Sequence, residues 1–362
     1  MPRVPVELPD DRYDVTVEPG VLDRAGEMVR TLTAADKACL VTDANVVAAG
    51  HAARVRRSLE SAGFSVVQVA LSPGEAHKTL SAVSAIYDAA LPVSIDRRTP
   101  VLALGGGVVG DVAGFAAATL LRGLPLIQLP TTLLSMVDAS VGGKTGVDHP
   151  AGKNLIGAFH QPKAVLADPE VLRTLPVDAL RDGLAECIKH DVIRDAAHFD
   201  RLGEAIDRAL SLDVPALTDL VTHNVRIKAG VVAADPLERG DRAHLNFGHT
   251  FAHAIELVSD FSMSHGRAVA VGMVAACRVA VAMRLLDATS GDRVAAVIAR
   301  AGLPTRLSVS LDLDRLIAAM SRDKKAVGAR VRFVLPDRIG HVVVRDDVPE
   351  AVVRQALKSI CP

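Results

Sequence analysis

The stretch VLALGGGVVGD, Val101 to Asp111, decides the fold. A short apolar run leads straight into three glycines, and a helix-compatible segment, AGFAAATLL, follows. A run that is apolar on both faces reads as a buried parallel strand, and glycines between strand and helix permit a tight turn. Gly105, Gly107 and Gly110 satisfy GxGxxG, a pattern whose helix N-terminus can receive a pyrophosphate. No acidic residue closes a strand about 20 positions on, as that pattern usually requires. Asp43, at the end of an earlier apolar run, is the better partner for a ribose hydroxyl.

Outward from this turn the same grammar repeats. ACLVTD (38–43), SVVQVAL (65–71) and LIQLPTT (126–132) are apolar runs that end in turn or polar residues, with helix-compatible AAGHAARVRRSLESAG and KTLSAVSAIYDAAL between them. Strands alternating with helices predict an α/β domain with a mostly parallel sheet, and ligands at the carboxyl ends of its strands. From about Thr174 the pattern becomes long and helical in LRDGLAECIKHDVIRD, LTDLVTHNVRIKAGVVAAD, HTFAHAIELVSD and RAVAVGMVAACRVAVAMRLL, while VRFVLPDRIGHVVV reads as a small hairpin. The expected plan is an α/β domain over 1–173 and a mainly α-helical domain over 174–362.

Composition limits the classes of function. At 49% hydrophobic and 23% charged, 362 residues suit a globular chain with a sizeable core. A formal charge of −1, 3% aromatics and no Trp argue against a nucleic-acid partner. Cys39, Cys187, Cys277 and Cys361 are scattered without a CxxC, the N-terminus lacks the apolar core of a signal peptide, and no apolar run approaches the ~20 residues of a membrane helix. The expectation is a soluble, cytoplasmic protein without a membrane role.

Charge is local instead. Between Arg122 and Asn154 the chain sets Arg122, Lys144 and Lys153 beside glycines and the paired Thr131 and Thr132. Glycines let backbone N–H groups approach an anion and lysine adds a point charge, so a phosphate-bearing ligand fits. Glu186 and Lys189, three apart, share a helix face bordering a buried cleft. In LNFGHTFAHAIE, His249 and His253 stand four apart on one face, and His265 opens a further apolar helix. One Glu and two His from separate segments would make a three-ligand catalytic metal site with open positions for substrate oxygens. Thr250 rules out an HExxH motif, and spacing leaves open which two histidines bind and whether they bind at all.

VTDANV, PGEAHKTL, GGGVVGDVAGFAAATLLRG, PTTLLSMVDASVGGKTGVDHPAGKNLIGAF, GLAECIKH, RAHLNFGHTFAHAIE, HGRAVAVGM and DKKAVGARVRFVL, in this order, resemble the 3-dehydroquinate synthases of the sugar phosphate cyclase group over nearly the whole chain. The resemblance implies a Rossmann-like N-terminal domain, a helical C-terminal domain, NAD and a divalent metal (zinc or cobalt). The implied reaction converts 3-deoxy-D-arabino-heptulosonate 7-phosphate into 3-dehydroquinate and phosphate, the second step of the shikimate pathway. It runs through oxidation, phosphate elimination, re-reduction, ring opening and aldol closure, and in this family the substrate phosphate is thought to take the proton itself.

The resemblance implies Glu186, His249 and His265 as metal ligands, with His253 facing the substrate. It assigns NAD contacts to Asp43, Asn45, Glu75, Lys78, Gly106, Gly107, Val108, Asp111, Thr131, Thr132 and Thr174, with Lys144 and Lys153 also near the cofactor. Asp138, Lys144, Asn154, Lys189, Lys228, Arg242, Asn246 and His253 would line the substrate site, and one of Lys324 and Lys325 would close over it. Among these, Lys144, Lys153, Asn154, Lys189, Arg242, Asn246 and His253 form the expected catalytic set. Arg122 would reach the substrate phosphate from the partner subunit of a homodimer. Arg267 and His190 depart from the family's usual Glu and Tyr. Two neighbouring readings share the fold: a sister cyclase acting on sedoheptulose 7-phosphate, and an alcohol dehydrogenase resembling glycerol dehydrogenase. Lys228, Arg242, Asn246 and the Lys324–Lys325 pair favour a substrate that carries a carboxylate.

Overall fold

The computed structural model describes residues 2–9, 11–238, 240–322 and 330–362, with the side chains of 321 and 322 excepted. Lys324 and Lys325 lie outside the described residues. The strands are β1 (Arg3–Glu7), β2 (Arg12–Val17), β3 (Lys37–Asp43), β4 (Ser65–Leu71), β5 (Val101–Gly105), β6 (Leu126–Pro130), β7 (Lys144–His149), β8 (Gly152–Phe159), β9 (Ala164–Ala167), β10 (Phe333–Arg338) and β11 (His341–Arg345). The helices are α1 (Ala25–Arg30), α2 (Ala44–Ala48), α3 (His51–Ser61), α4 (Leu80–Ala90), α5 (Gly107–Thr119), α6 (Val177–Arg194), α7 (Ala196–Leu210), α8 (Val214–Ala234), α9 (His249–Val258), α10 (His265–Ala282), α11 (Ala288–Arg300), α12 (Leu313–Arg322) and α13 (Glu350–Ile360).

Two compact units result, Met1–Pro176 with Val214–Ala233, and Val177–Asp213 with Ala234–Pro362. This corrects the single cut between 173 and 174: α8 lies in the second half of the sequence yet belongs to the first unit. A helical period reveals that a helix has an apolar face, but not which core receives it.

The first unit carries a seven-stranded sheet in the order β1-β2-β9-β6-β5-β3-β4. All its pairings are parallel except β1 with β2. Every residue of β5 and β6 is buried, and apart from Gln128 of β6 their side chains are apolar or absent. Val109, Val112, Ala113 and Ala116 of α5 pack with Val101, Ala103 and Leu126 in one core. The strand β3 has β4 on one side and β5 on the other, so the chain reverses its direction of winding there. In doubly wound sheets, ligands bind outside the carboxyl ends of the strands at such a point. The stretch 144–159, read from sequence as part of a polar loop, is a β-hairpin of β7 and β8.

The second unit is helical, with the antiparallel pair β10–β11 as its sheet. Its axis is α10, 18 residues long and apolar enough by composition to cross a membrane, but 72% buried as a core helix is. Small residues let its neighbours approach closely. A Cβ on Gly266 would lie 2.4 Å from the backbone of Asp182 in α6, and one on Gly272 would lie 2.3 Å from the carbonyl oxygen of Gly248 at the head of α9.

Candidate active site

In the first unit the sheet register collects one group of side chains at one edge. Asp43 ends β3, Glu75 and Lys78 follow β4, the glycines follow β5, Thr131 and Thr132 follow β6, and Thr174 follows β9. The helix α5 begins after Gly106 with no side chain capping its first N–H groups. An uncapped 13-residue helix at a parallel-strand end offers those N–H groups and its dipole to an anion. A Cβ on Gly107 would meet only Ala139, at 3.4 Å, so the turn stays low where a phosphate would approach. Asp43 accepts from the backbone of Asn45 at 2.8 Å and of Val46 at 3.0 Å, both through Oδ1, and thereby caps α2. Its Oδ2 remains to accept a ligand hydroxyl. The Thr174 hydroxyl donates to Val171 O and sits 2.8 Å from His51 Nε2.

Lys78 ties this edge together. It is 4% exposed, with its ammonium 2.6 Å from Asp111 and 2.5 Å from Asn154 Oδ1. Burial opposes its charge, but Asp111, Glu75 and Asp148 together outweigh burial and raise the Lys78 pKa. Burial also raises the pKa of Asp111, against the pull of Lys78. Asn154 holds a left-handed backbone (φ 56°) that its short amide side chain tolerates. Its N–H donates to Asp148, and the ammonium of neighbouring Lys153 lies 3.5 Å from Glu75. Lys144 opens β7 with its side chain exposed.

Asp138 lies in a π-helical turn, Ser135–Ala139, a rare geometry often found at functional sites. The buried Lys228 on α8 pairs with its carboxylate. Arg122 is exposed beside Leu121, both at positive φ (66° and 51°).

In the second unit, Glu186 on α6 is fully buried. His249 Nε2 lies 3.7 Å and His265 Nε2 3.6 Å from the same oxygen, Glu186 Oε1. Donor atoms about 2.1 Å from a shared cation at a tetrahedral angle are about 3.4 Å apart, so these separations suit one divalent ion. One donor atom from each of the three residues falls within a 4.8 Å span.

Among the described residues of this unit, His253 is not in the cluster. It is exposed, with its ring edge-on to His249 at 5.4 Å. Thus the histidines that share a helix face divide, and the second histidine of the cluster comes from the next helix. Lys189, 1% exposed, forms a short ion pair with Glu186. Both side chains are buried.

Burial and neighbouring charges shift all three groups of the cluster. Burial alone would raise the Glu186 pKa, but Lys189 and the two histidines hold it well below the carboxylate range. Burial and Lys189 push His249 down to about 3. Burial also disfavours the charged form of His265, yet Glu186 and Glu256 overcome it and raise that pKa to about 10. Glu256, two turns along α9 from His249, is a site residue that the sequence reading missed; its i, i+7 spacing was the available signal. Arg242 is 2% exposed, donating to Pro236 O at 2.8 Å, and Asn246 Nδ2 lies 3.3 Å from Glu238. His190 is fully buried, whereas Arg267 is exposed.

Comparison with known proteins identifies the family. A family model described as 3-dehydroquinate synthase N-terminal matches residues 68–182, and one described as 3-dehydroquinate synthase C-terminal matches 183–326. A 3-dehydroquinate synthase of Synechococcus sp. is 48% identical, covering 99% of this chain and 98% of the relative. One from Gloeobacter violaceus is 47% identical over 99% of both. A 2-epi-5-epi-valiolone synthase from Streptomyces hygroscopicus subsp. jinggangensis, solved with NAD+ and Zn2+ bound, matches with a TM-score of 0.89 at 29% identity over 98% of each chain. A 2-deoxy-scyllo-inosose synthase complexed with carbaglucose-6-phosphate, NAD+ and Co2+ matches at 0.89 with 25% identity over 99% of each. The chain belongs to the 3-dehydroquinate synthase family.

Proposed function

We propose that the chain converts 3-deoxy-D-arabino-heptulosonate 7-phosphate into 3-dehydroquinate and phosphate, as a phosphate-eliminating carbon–oxygen lyase dependent on NAD and a divalent metal. The observation that carries the reading is the cluster of buried Glu186 with half-buried His249 and His265, in a chain 48% identical to a 3-dehydroquinate synthase along its whole length. Zinc or cobalt held by these three residues would acidify substrate hydroxyls, and NAD would accept and return a hydride.

The chain's own groups bind and orient. The open head of α5 (Gly106, Gly107, Val108) and the strand-end residues Asp43, Asn45, Glu75, Lys78, Asp111, Thr131, Thr132 and Thr174 would hold the dinucleotide. Lys144, Lys153, Asn154, Asp138 and Lys228 of one group, and Lys189, Arg242, Asn246 and His253 of another, would position substrate oxygens. Cations outnumber carboxylates in both groups, which suits an anionic substrate whose leaving phosphate must be neutralised as it departs. Arg122 would serve the phosphate of a partner subunit in a homodimer, which its exposure permits. Free cysteines, three of them buried, suit a reducing cytoplasm.

The test is phosphate release from 3-deoxy-D-arabino-heptulosonate 7-phosphate with catalytic NAD+, the product being read by coupled dehydroquinase. Release abolished by a chelator, restored by zinc or cobalt and lost in Glu186→Ala together with the metal is the expected result. Carbocycle formed only from sedoheptulose 7-phosphate would move the chain to a sister cyclase, and net NADH accumulation would mark an alcohol dehydrogenase.

A further inference from the structure

We infer that Glu256 is a positioning residue: its buried carboxylate orients the His265 ring so that Nε2 faces Glu186. The inference rests on the proposed metal site. Both clustered histidines present Nε2 to Glu186 Oε1, and both turn Nδ1 toward an acceptor. An imidazole that gives up its Nε2 proton to a cation keeps one N–H, and an acceptor at Nδ1 holds that N–H there, leaving the Nε2 lone pair toward the cation.

The two acceptors differ in kind. His249 Nδ1 lies 3.2 Å from Phe247 O, two residues back in its own chain across the left-handed Gly248 (φ 81°). For His265 the acceptor is a side chain: its Nδ1 lies 3.4 Å from Glu256 Oε1 on α9. Glu256 is 4% exposed, and burying a carboxylate is costly unless something inside needs it. The helix α9 therefore carries one member of the cluster at its head and the orienting group for another two turns later.

The full chain, stripped of metal, is titrated with zinc against a chromophoric chelator, and the Co(II) form is followed by its visible spectrum. Glu256→Gln keeps the volume and an acceptor but removes the charge, and is expected to weaken metal binding about tenfold; Glu256→Ala, which frees the ring to turn, ~10–100-fold, with an altered Co(II) spectrum. Ile255→Val, a buried change on the same helix, is expected to leave both readouts unchanged. Wild-type affinity and spectrum in both Glu256 variants would overturn the inference while leaving the metal site intact, and equal weakening in Ile255→Val would overturn it as a packing effect. A wild-type chain that takes up no zinc or cobalt would overturn the metal reading beneath it. If Glu256→Ala fails to fold, the isosteric Glu256→Gln decides alone.

Discussion

Replacing Gly272 by Ala tests whether the close approach of α9 and α10 sets the geometry of the cluster. The added Cβ would stand 2.3 Å from Gly248 O and 3.1 Å from Ala252 N, where ordinary contact begins near 3.4 Å. The helices must part by about 1 Å, because a backbone carbonyl inside a close-packed interface cannot swing away as a side chain can. Overpacking of this kind costs about 1–3 kcal/mol, and contact with backbone places it at the upper end. Alanine's better helix propensity returns about 1 kcal/mol, leaving a net loss of about 2 kcal/mol. At about 2–4 °C per kcal/mol, the melting temperature should fall by about 4–8 °C.

Gly230→Ala on α8 is the control. No described atom lies within 4 Å of its added Cβ, so propensity acts unopposed and stability should rise by about 0.5–1 kcal/mol. Gly248 immediately precedes His249, so the displacement in Gly272→Ala should also weaken zinc binding by roughly tenfold or more. Circular-dichroism melts of the metal-free proteins and the chelator titration check both numbers. A Gly272→Ala protein that melts with Gly230→Ala and binds zinc like the wild type would refute the close-packing argument.

Lys78→Met strips Asp111 of its cation. The loss should be roughly 1–3 kcal/mol at neutral pH, below that of a sealed pair because the Asp111 side chain is 22% exposed, and NAD+ affinity should fall with it. Urea melts of Lys78→Met and of the double variant with Asp111→Asn check this: unchanged stability in the first, or no recovery in the second, would contradict it. On α6 and α7, His198 Nδ1 lies 2.6 Å from Asp191 Oδ2. That hydrogen bond, with Asp195 adding to it against burial and Arg201, raises the His198 pKa above 6.5. The folded state thus favours the charged ring: the stabilisation is full below pH 6.5 and fades as pH climbs through the raised value. The stability difference between wild type and His198→Gln should therefore be larger at pH 5.5 than at pH 9 by urea midpoint, and a difference that grows with pH would reverse the sign of the argument.

The parallel core was legible because buried strands have little room for polar residues: β3, β5 and β6, and even the partly exposed edge strand β4, coincide with apolar runs to within two residues. The hairpin of β7 and β8 was not, because its Lys, Gly, Asn and His residues carry little apolar alternation and Leu155 and Phe159 are exposed. Spacing put His249 and His253 on one face, but a face is several residues wide. Only the position of α6 distinguishes the ring that meets Glu186 from the ring that does not. Glu256 was passed over because a carboxylate on an amphipathic helix ordinarily marks the solvated side, whereas here that position turns inward.

The placement of α8 bears on how the chain can be made and divided. The first unit is interrupted by α6 and α7, so a ribosome must release both of those helices before the last piece of the nucleotide-type fold emerges. Lys228, on that late piece, is the partner of Asp138, translated 90 residues earlier. A gene fragment ending near residue 173 would leave that carboxylate without its ammonium and the surface beneath α8 bare. An excised first unit should therefore be rebuilt with residues 214–233 grafted back through a short linker.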